Sequence, residues 1–496
     1  MDFKDYRHDR KKSINESIRE LHLFIQEFAA QDALEPWYNW FDENFDLPKP
    51  VVKQFLMRKL AEGVDYIDRK GFKENLLTEC IPRAQLVYLG YLAYIYGFRE
   101  TKKNDPENYH LLIEVETTIH LLRYKKLIQL FGVRNVCVVS TLGLPLDFPN
   151  ISIITKARRG WRHGYRNYHI KNSEIFALIS GLRLHKIVSR EIGTNLIYIA
   201  MQIIDSFFFY KSLLQNKKAK YLINFQHYHT DSVKNHVFKL YGGQISAVIQ
   251  KNIHQFGPNG FFYDADIFFT YGLKTANSAI ELGANFDNVK PVGSFFLEAS
   301  VGSISNDPEV RWHVICIGGN GFTTPEVLRY TNTYDTNLDD YMEHLKWLHA
   351  LSLKHSDLRL GFKHHPGYKG QFEDDFFKDS NVQIIPESEN TYEHAFRSGI
   401  TVSWASTVVI ELRGYGRLGY FLNPGGRNYQ FVTRDLQDLS LTSYQEFANK
   451  VLQIQHSSVI PELGHLDRDY CFLSDQVSER IYKHLTQPAD SKRSQS

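Results

Sequence analysis

The chain has 496 residues, with 58 Lys and Arg against 56 Asp and Glu, and 14% of it is aromatic. That length predicts two to four domains of ~100–200 residues each. A formal net charge of +2 argues against a nucleic-acid coat or an acidic tail protein, and 43% hydrophobic residues exclude a disordered chain.

The N-terminus, Met1-Asp2-Phe3-Lys4-Asp5, is charged at once and no apolar core follows, so no secretory signal is expected. Cys80, Cys137, Cys316 and Cys471 lie far apart and form neither a CxxC nor a zinc spacing. Such usage fits a reducing, cytoplasmic compartment. Residues 1–128 read as a helical N-terminal region. Ile14–Phe28, Pro50–Glu62 and Asn108–Leu130 place apolar residues three and four apart. The most apolar stretches are Leu86–Phe98 and Ile192–Leu214. The first is shorter than the ~20 residues a membrane span needs. The second contains Asn195, Gln202, Asp205 and Lys211, so a buried amphipathic helix is the better reading. Peripheral contact with the inner face of a membrane stays open.

Over 129–297 the pattern changes to strands alternating with helices. Val133–Ser140, Ile151–Thr155, Ala219–Phe225, Gln244–Gln250, Ile267–Tyr271 and Val289–Gly293 read as strands. Residues 173–216 read as one long helical stretch, and Ala276–Leu282 as a shorter helix. A Ser/Gly/Asp-rich linker, 298–309, follows. Over 311–487 the alternation restarts, with strands at His313–Ile317, Leu358–Lys363, Val382–Ile385, Ile400–Ser403 and Gly419–Leu422. Helices are expected at Leu338–His355, Thr391–Arg397 and Thr407–Gly414. The fold class is therefore α/β: two Rossmann-like, doubly wound parallel domains facing a cleft, with an extra helical N-terminal region. Ligands in such sheets sit at the carboxyl ends of the strands, which makes the cleft the default site.

Three stretches carry chemistry. In Lys363-His364-His365-Pro366-Gly367 a strand ends in two histidines and a turn. In Ser403-Trp404-Ala405-Ser406-Thr407 a strand ends in hydroxyls that open a helix, a pattern suited to phosphate, with Glu411 one turn on and able to accept from ribose hydroxyls. Gly416-Arg417-Leu418-Gly419 leads into the next strand. Gly318-Gly319-Asn320-Gly321 follows the first strand of the second domain, either as a phosphate or acceptor loop or as a tight turn.

These motifs resemble the donor half of GT-B glycosyltransferases, and more narrowly the bacterial surface-polysaccharide group with His-Pro and Ser-Thr motifs. That group includes capsule-type sialyl and Kdo transferases and the teichoic-acid glycerophosphotransferases. Phe225-Gln226-His227 resembles the strand end of the same proteins, and 269–296 the close of their first domain. The likeness covers roughly 219–425 and does not reach 1–128. Ala405 stands where the family often has a hydroxyl, Leu418 where it has proline and Tyr228 where it has glycine. The resemblance implies that His365 contacts the donor phosphate, with His364, Pro366 and Gly319 alongside. It implies that Ser406 and Thr407 bind phosphate and that Glu411 holds ribose. Catalysis would then need no metal and no cofactor beyond the nucleotide-activated donor, of CMP, CDP or UDP type. A general base is expected from the first domain, from His227 or His229 with Asp231 nearby.

The implied function is transfer of a sugar, or a polyol phosphate, to a glycan or lipid-linked acceptor in surface-polysaccharide assembly. Two alternatives stand beside it: a nucleotide-sugar epimerase or hydrolase on the same scaffold, and a polyanion-binding protein with degenerate domains. The second rests on 156–171, where Lys156, Arg158, Arg159, Arg162, Arg166 and Lys171 are interleaved with Trp161, Tyr165 and Tyr168. The chain is otherwise not basic. Arg159, Trp161 and Arg162 are therefore read as acceptor-binding, with no nucleic acid expected, against the plain reading of a solvated loop. Trp161, Tyr165, Tyr168 and Trp404 are expected to offer flat faces beside the site.

Overall fold

The computed structural model describes residues 14–70, 81–97, 106–115, 118–140, 151–155, 170–224, 230–251, 262–301, 310–318, 335–364, 371–404, 406–424, 438–455, 469–472 and 476–487. Two parallel sheets organise them. The first has seven strands: β1 Glu107–Val115, β2 Val136–Ser140, β3 Ser152–Thr155, β4 Lys217–Asn224, β5 Ile245–Ile249, β6 Asp264–Thr270 and β7 Asn285–Pro291. Their order is β3-β2-β1-β4-β5-β6-β7. The second has six: β8 Trp312–Ile317, β9 Leu360–Lys363, β10 Val382–Ile385, β11 Ser398–Ser403, β12 Leu418–Leu422 and β13 Ser440–Leu441, in the order β10-β9-β8-β11-β12-β13. Both orders run outward from the first strand and then reverse, as in a doubly wound sheet. The two parallel sheets with their flanking helices are the α/β architecture expected from the sequence.

The expectation of a helix over Asn108–Leu130 is corrected. Its first part is β1, the strand at the reversal point of the first sheet, and helices Thr118–Arg123 and Lys125–Phe131 follow. The run Leu111-Leu112-Ile113-x-Val115 has the content of a buried strand, and its residues divide between two faces. Leu112 joins one core, while Leu111, Ile113 and Val115 join the other. The N-terminal helices Ile14–Phe28, Glu35–Phe45, Lys49–Lys70 and Ile81–Gly97 are present. They do not close a core of their own. Leu21, Trp37, Phe41, Leu56 and Tyr88 share one cluster with helix Leu196–Asn216 and the Leu112 face of the sheet. Much of the aromatic excess is spent here, with Trp37, Tyr38, Tyr88 and Tyr91 fully buried.

The long stretch 173–216 is two helices, Asn172–Glu191 and Leu196–Asn216. Gly193 breaks it with φ +69°, and Asn195 caps the second helix by accepting from the Ile197 amide at 3.1 Å. Among the described residues Leu196–Asn216 is the one helix long and apolar enough to cross a membrane, and it lies mostly buried in the core. At the other end, helix Val477–Thr486 leaves the second unit and packs on the first. Val477, Ile481 and Leu485 enter the Leu111 face, and Ser478 bonds Glu298. The stretch 311–487 is thus not a closed unit.

Candidate active site

Each sheet has one reversal point, and these are the places where an α/β sheet opens a crevice at its carboxyl edge. In the second sheet it lies between β8 and β11. The Ser403 hydroxyl donates to the Ile317 carbonyl at 2.8 Å and accepts from the Ser406 amide at 2.9 Å. The end of β8 and the turn after β11 are thereby pinned together. Ser406 and Thr407 sit half-buried on this turn. Val408–Glu411 is a single helical turn that continues as the 3-10 turn Leu412–Tyr415, so the expected helix is shorter and tighter. It packs directly on β12 because Gly419 has no side chain: a Cβ there would stand 2.1 Å from the Val409 carbonyl oxygen.

Glu411 is 2% exposed. Its carboxylate accepts from Thr407 Oγ1 at 2.9 Å, from Tyr392 OH at 2.9 Å and from Ser294 Oγ. Ser294 belongs to the first unit, where its hydroxyl also accepts from the Leu297 amide at the start of helix Phe295–Val301. The residue expected to hold ribose is therefore a joint between the two α/β units. Burial pushes its carboxyl above the ordinary range, opposed by the three hydroxyl donors and by Arg123. A carboxyl raised in this way favours folding while it is protonated, below its ordinary value of 4.5, and that contribution fades as pH rises through the raised value. Each tenfold change in its acid constant is worth about 1.4 kcal/mol. Glu411→Gln is expected to remove this part of the decline above pH ~4.5. Urea midpoints of the two proteins across that range check it, and parallel pH profiles would contradict it.

On β9, Lys363 is buried and donates to the carbonyls of Pro386 at 2.7 Å and Glu387 at 3.0 Å; burial lowers its pKa. His364 is buried too, with Nε2 2.7 Å from Asp374 Oδ1 on helix Gln371–Phe377. Its partner is thus internal to the second unit. Trp404 does not offer a flat face to a ligand: it is fully buried, edge-on to Tyr341 at 5.9 Å. That expectation is corrected.

In the first sheet the reversal lies between β1 and β4, where Glu114 is in register with Asn224. Lys234, on helix Ser232–Leu240 and 1% exposed, donates to Glu114 Oε2 and Asn224 Oδ1, both at 2.6 Å. Tyr210 OH donates to the other Glu114 oxygen. Asp231 caps the Lys234 helix through the Lys234 amide at 3.1 Å and accepts from Ser206 Oγ at 2.5 Å. It serves as the cap of that helix.

His227, His229, His365, Pro366, Gly319, Arg159, Trp161, Arg162, Tyr165 and Tyr168 lie outside the described residues. In the sequence His227 and His229 come three and five residues after the end of β4, and His365 two residues after the end of β9. Sequence reasoning missed Glu114, Lys234 and Ser294. Reading Leu111–Val115 as a strand was the available signal for the first of these. Among the described residues no group of three or more His, Cys, Asp or Glu is disposed to hold a metal ion.

No protein-family model matches the chain, and no curated protein sequence matches it. Solved structures of similar chain course include the S. aureus MnaA–UDP co-structure, at 11% identity and TM-score 0.44 over 76% of this chain and 96% of that one. Another is the Methanocaldococcus jannaschii UDP-GlcNAc 2-epimerase in complex with UDP-GlcNAc and UDP, at 12% and 0.41 over 76% and 99%. A third is Acinetobacter baumannii MurG, at 12% and 0.38 over 76% and 100%. At these values the likeness carries no information about chemistry.

Proposed function

We propose that the chain is a glycosyltransferase that moves a sugar, or a polyol phosphate, from a nucleotide-activated donor to a glycan or lipid-linked acceptor in surface-polysaccharide assembly. The observation that carries this reading is the second reversal point, where the pinned turn of Ser403, Ser406 and Thr407 lies beside the end of β8 and immediately before Glu411. That is where doubly wound sheets hold nucleotides. The Ser406 hydroxyl contacts the donor phosphates, joined by the Thr407 hydroxyl when its hydrogen turns from Glu411, with His365 beside them. Ribose hydroxyls take the place of Ser294 at Glu411, so donor binding is felt at the joint between the units. The acceptor hydroxyl oxygen attacks the anomeric carbon of a sugar donor, or the phosphorus of a polyol-phosphate donor, and its proton passes to His227 or His229. The bond to phosphate oxygen breaks, and the nucleotide departs with the bonding pair. His365, the hydroxyls and backbone amides stabilise the charge that develops there, and no metal is assigned a role.

Calorimetry against CMP, CDP, UDP and GDP tests the donor site. One of these nucleotides is expected to bind, and Ser406→Ala with Thr407→Ala to weaken it at least about tenfold, since a hydrogen bond to a charged group is worth ~1.5–3 kcal/mol. Binding by none of the four, or an unchanged affinity in the double variant, would remove the reading.

A further inference from the structure

Helices Ile81–Gly97 and Asn172–Glu191 lie side by side over the buried helix Leu196–Asn216. The Tyr88 hydroxyl of the first donates to the Leu178 carbonyl of the second at 3.1 Å, and the Tyr88 ring stands 5.9 Å from His185. Each turns one face inward: Ala84, Tyr88 and Ile95 on the first, Leu178, His185 and Val188 on the second, all in the same core. Their opposite faces point outward. A polar outer face is what a surface helix ordinarily has. Here the outer faces are apolar. Leu86 is 71% exposed, Phe176 71% and Ile179 53%, with Leu89 and Ile187 also out in solvent. Of the eleven strongly exposed large apolar side chains among the described residues, these two helices hold five.

The exposed charge on this face is predominantly basic. The first helix carries no acid, and its one charged residue, Arg83, is exposed. The second carries exposed Arg183 and Arg190 and half-buried Lys186. Its acids are Glu174, which is committed to the buried Lys211, and Glu191 at its end. A partner protein with an apolar patch needs no such ring of positive charge. An anionic bilayer does: apolar side chains enter the acyl boundary while basic groups stay among the headgroups.

We infer that the outer faces of helices Ile81–Gly97 and Asn172–Glu191 form a docking surface for an anionic lipid membrane, on which the chain sits peripherally. The inference rests on these two faces and not on the donor site, so it stands or falls independently of the transfer reaction. It accounts for the stretch Leu86–Phe98, apolar and too short to span, whose Leu86 and Leu89 are left uncovered.

Co-sedimentation of the full chain with vesicles tests it. The chain is expected to pellet with vesicles of phosphatidylglycerol mixed into phosphatidylcholine, to stay in solution with phosphatidylcholine alone, and to be released by high salt. Phe176→Ser with Ile179→Ser and Leu86→Ser is expected to lower partitioning at least about tenfold, because each loses most of the apolar area that enters the lipid. Arg83→Gln with Arg183→Gln and Arg190→Gln is expected to lower it on the order of fivefold per residue on the anionic vesicles alone. The substituted side chains are exposed, so thermal unfolding is expected to stay unchanged. A wild-type chain that remains in solution with anionic vesicles, or a serine variant that pellets as well as wild type, would overturn the inference. So would a dimer that dissociates in the serine variant while vesicles bind neither protein, since the face would then be covered by a second copy.

Discussion

Lys234→Met is expected to lower stability by about 3–5 kcal/mol, the usual consequence of removing one partner from a buried ion pair. Its ammonium, 1% exposed, bridges Glu114 on β1 and Asn224 on β4. Take it away and the half-buried Glu114 carboxylate loses its cationic partner, while the Tyr210 hydroxyl still donates to it. Methionine fills the space but neutralises nothing. Glu114→Leu in the same chain is expected to recover most of the loss, because a buried pair replaced as a unit by apolar groups is often neutral. Urea denaturation of wild type, single and double variants makes the cycle. A single variant as stable as wild type would show that the bridge does not hold the centre of the first sheet together.

The same pair marks the limit of what was legible beforehand. Lys234 and Glu114 are 120 residues apart, and only the β1–β4 register brings them together. Seeing that register requires β1, and β1 is disguised. Leu111, Leu112, Ile113 and Val115 are followed by Leu121, Leu127 and Ile128, and the combined spacing mimics a helix across what is a strand and two short helices. The second sheet was easier. Its strands are short apolar runs: β8 is closed by Gly318, β9 by the two histidines, and β12 is preceded by Gly416, and five of the six are legible in the sequence. The N-terminal helices were visible as helices, but their role as the cover of one sheet face was not. Periodicity tells which face is apolar and says nothing about what that face meets. Trp404 illustrates the same gap. A tryptophan at a strand end reads as a platform for sugar, and the fold instead buries it against Tyr341. Glu411 reads as lying one turn into the helix after β11 and is found in the turn Val408–Glu411, while its bond to Ser294 joins residues 117 apart across two units.

The two neighbouring histidines after β9 are expected to divide between chemistry and structure. His365→Ala is expected to lower kcat by roughly 10²–10³-fold with little change in thermal stability, the range for loss of a group that stabilises charge on a departing oxygen or transfers a proton. His364→Ala is expected to do the reverse. Its ring is buried, lies near-perpendicular to Phe362 at 5.4 Å, and holds Asp374 at 2.7 Å. Its removal leaves a cavity and breaks a hydrogen bond to a carboxylate, about 1–3 kcal/mol, and the remaining folded protein should turn over at close to the wild-type rate. Turnover by nucleotide-sugar consumption and unfolding by calorimetry, measured on both variants, give four values with one expected pattern. A fall in kcat for His364→Ala without a fall in stability would move the phosphate contact to the first histidine, and the Asp374 bond would then have to break when donor binds. Loss of stability in His365→Ala with turnover preserved would leave β9 without a catalytic residue. The proposed transfer would then have to draw its charge stabilisation from Ser406, Thr407 and backbone amides alone.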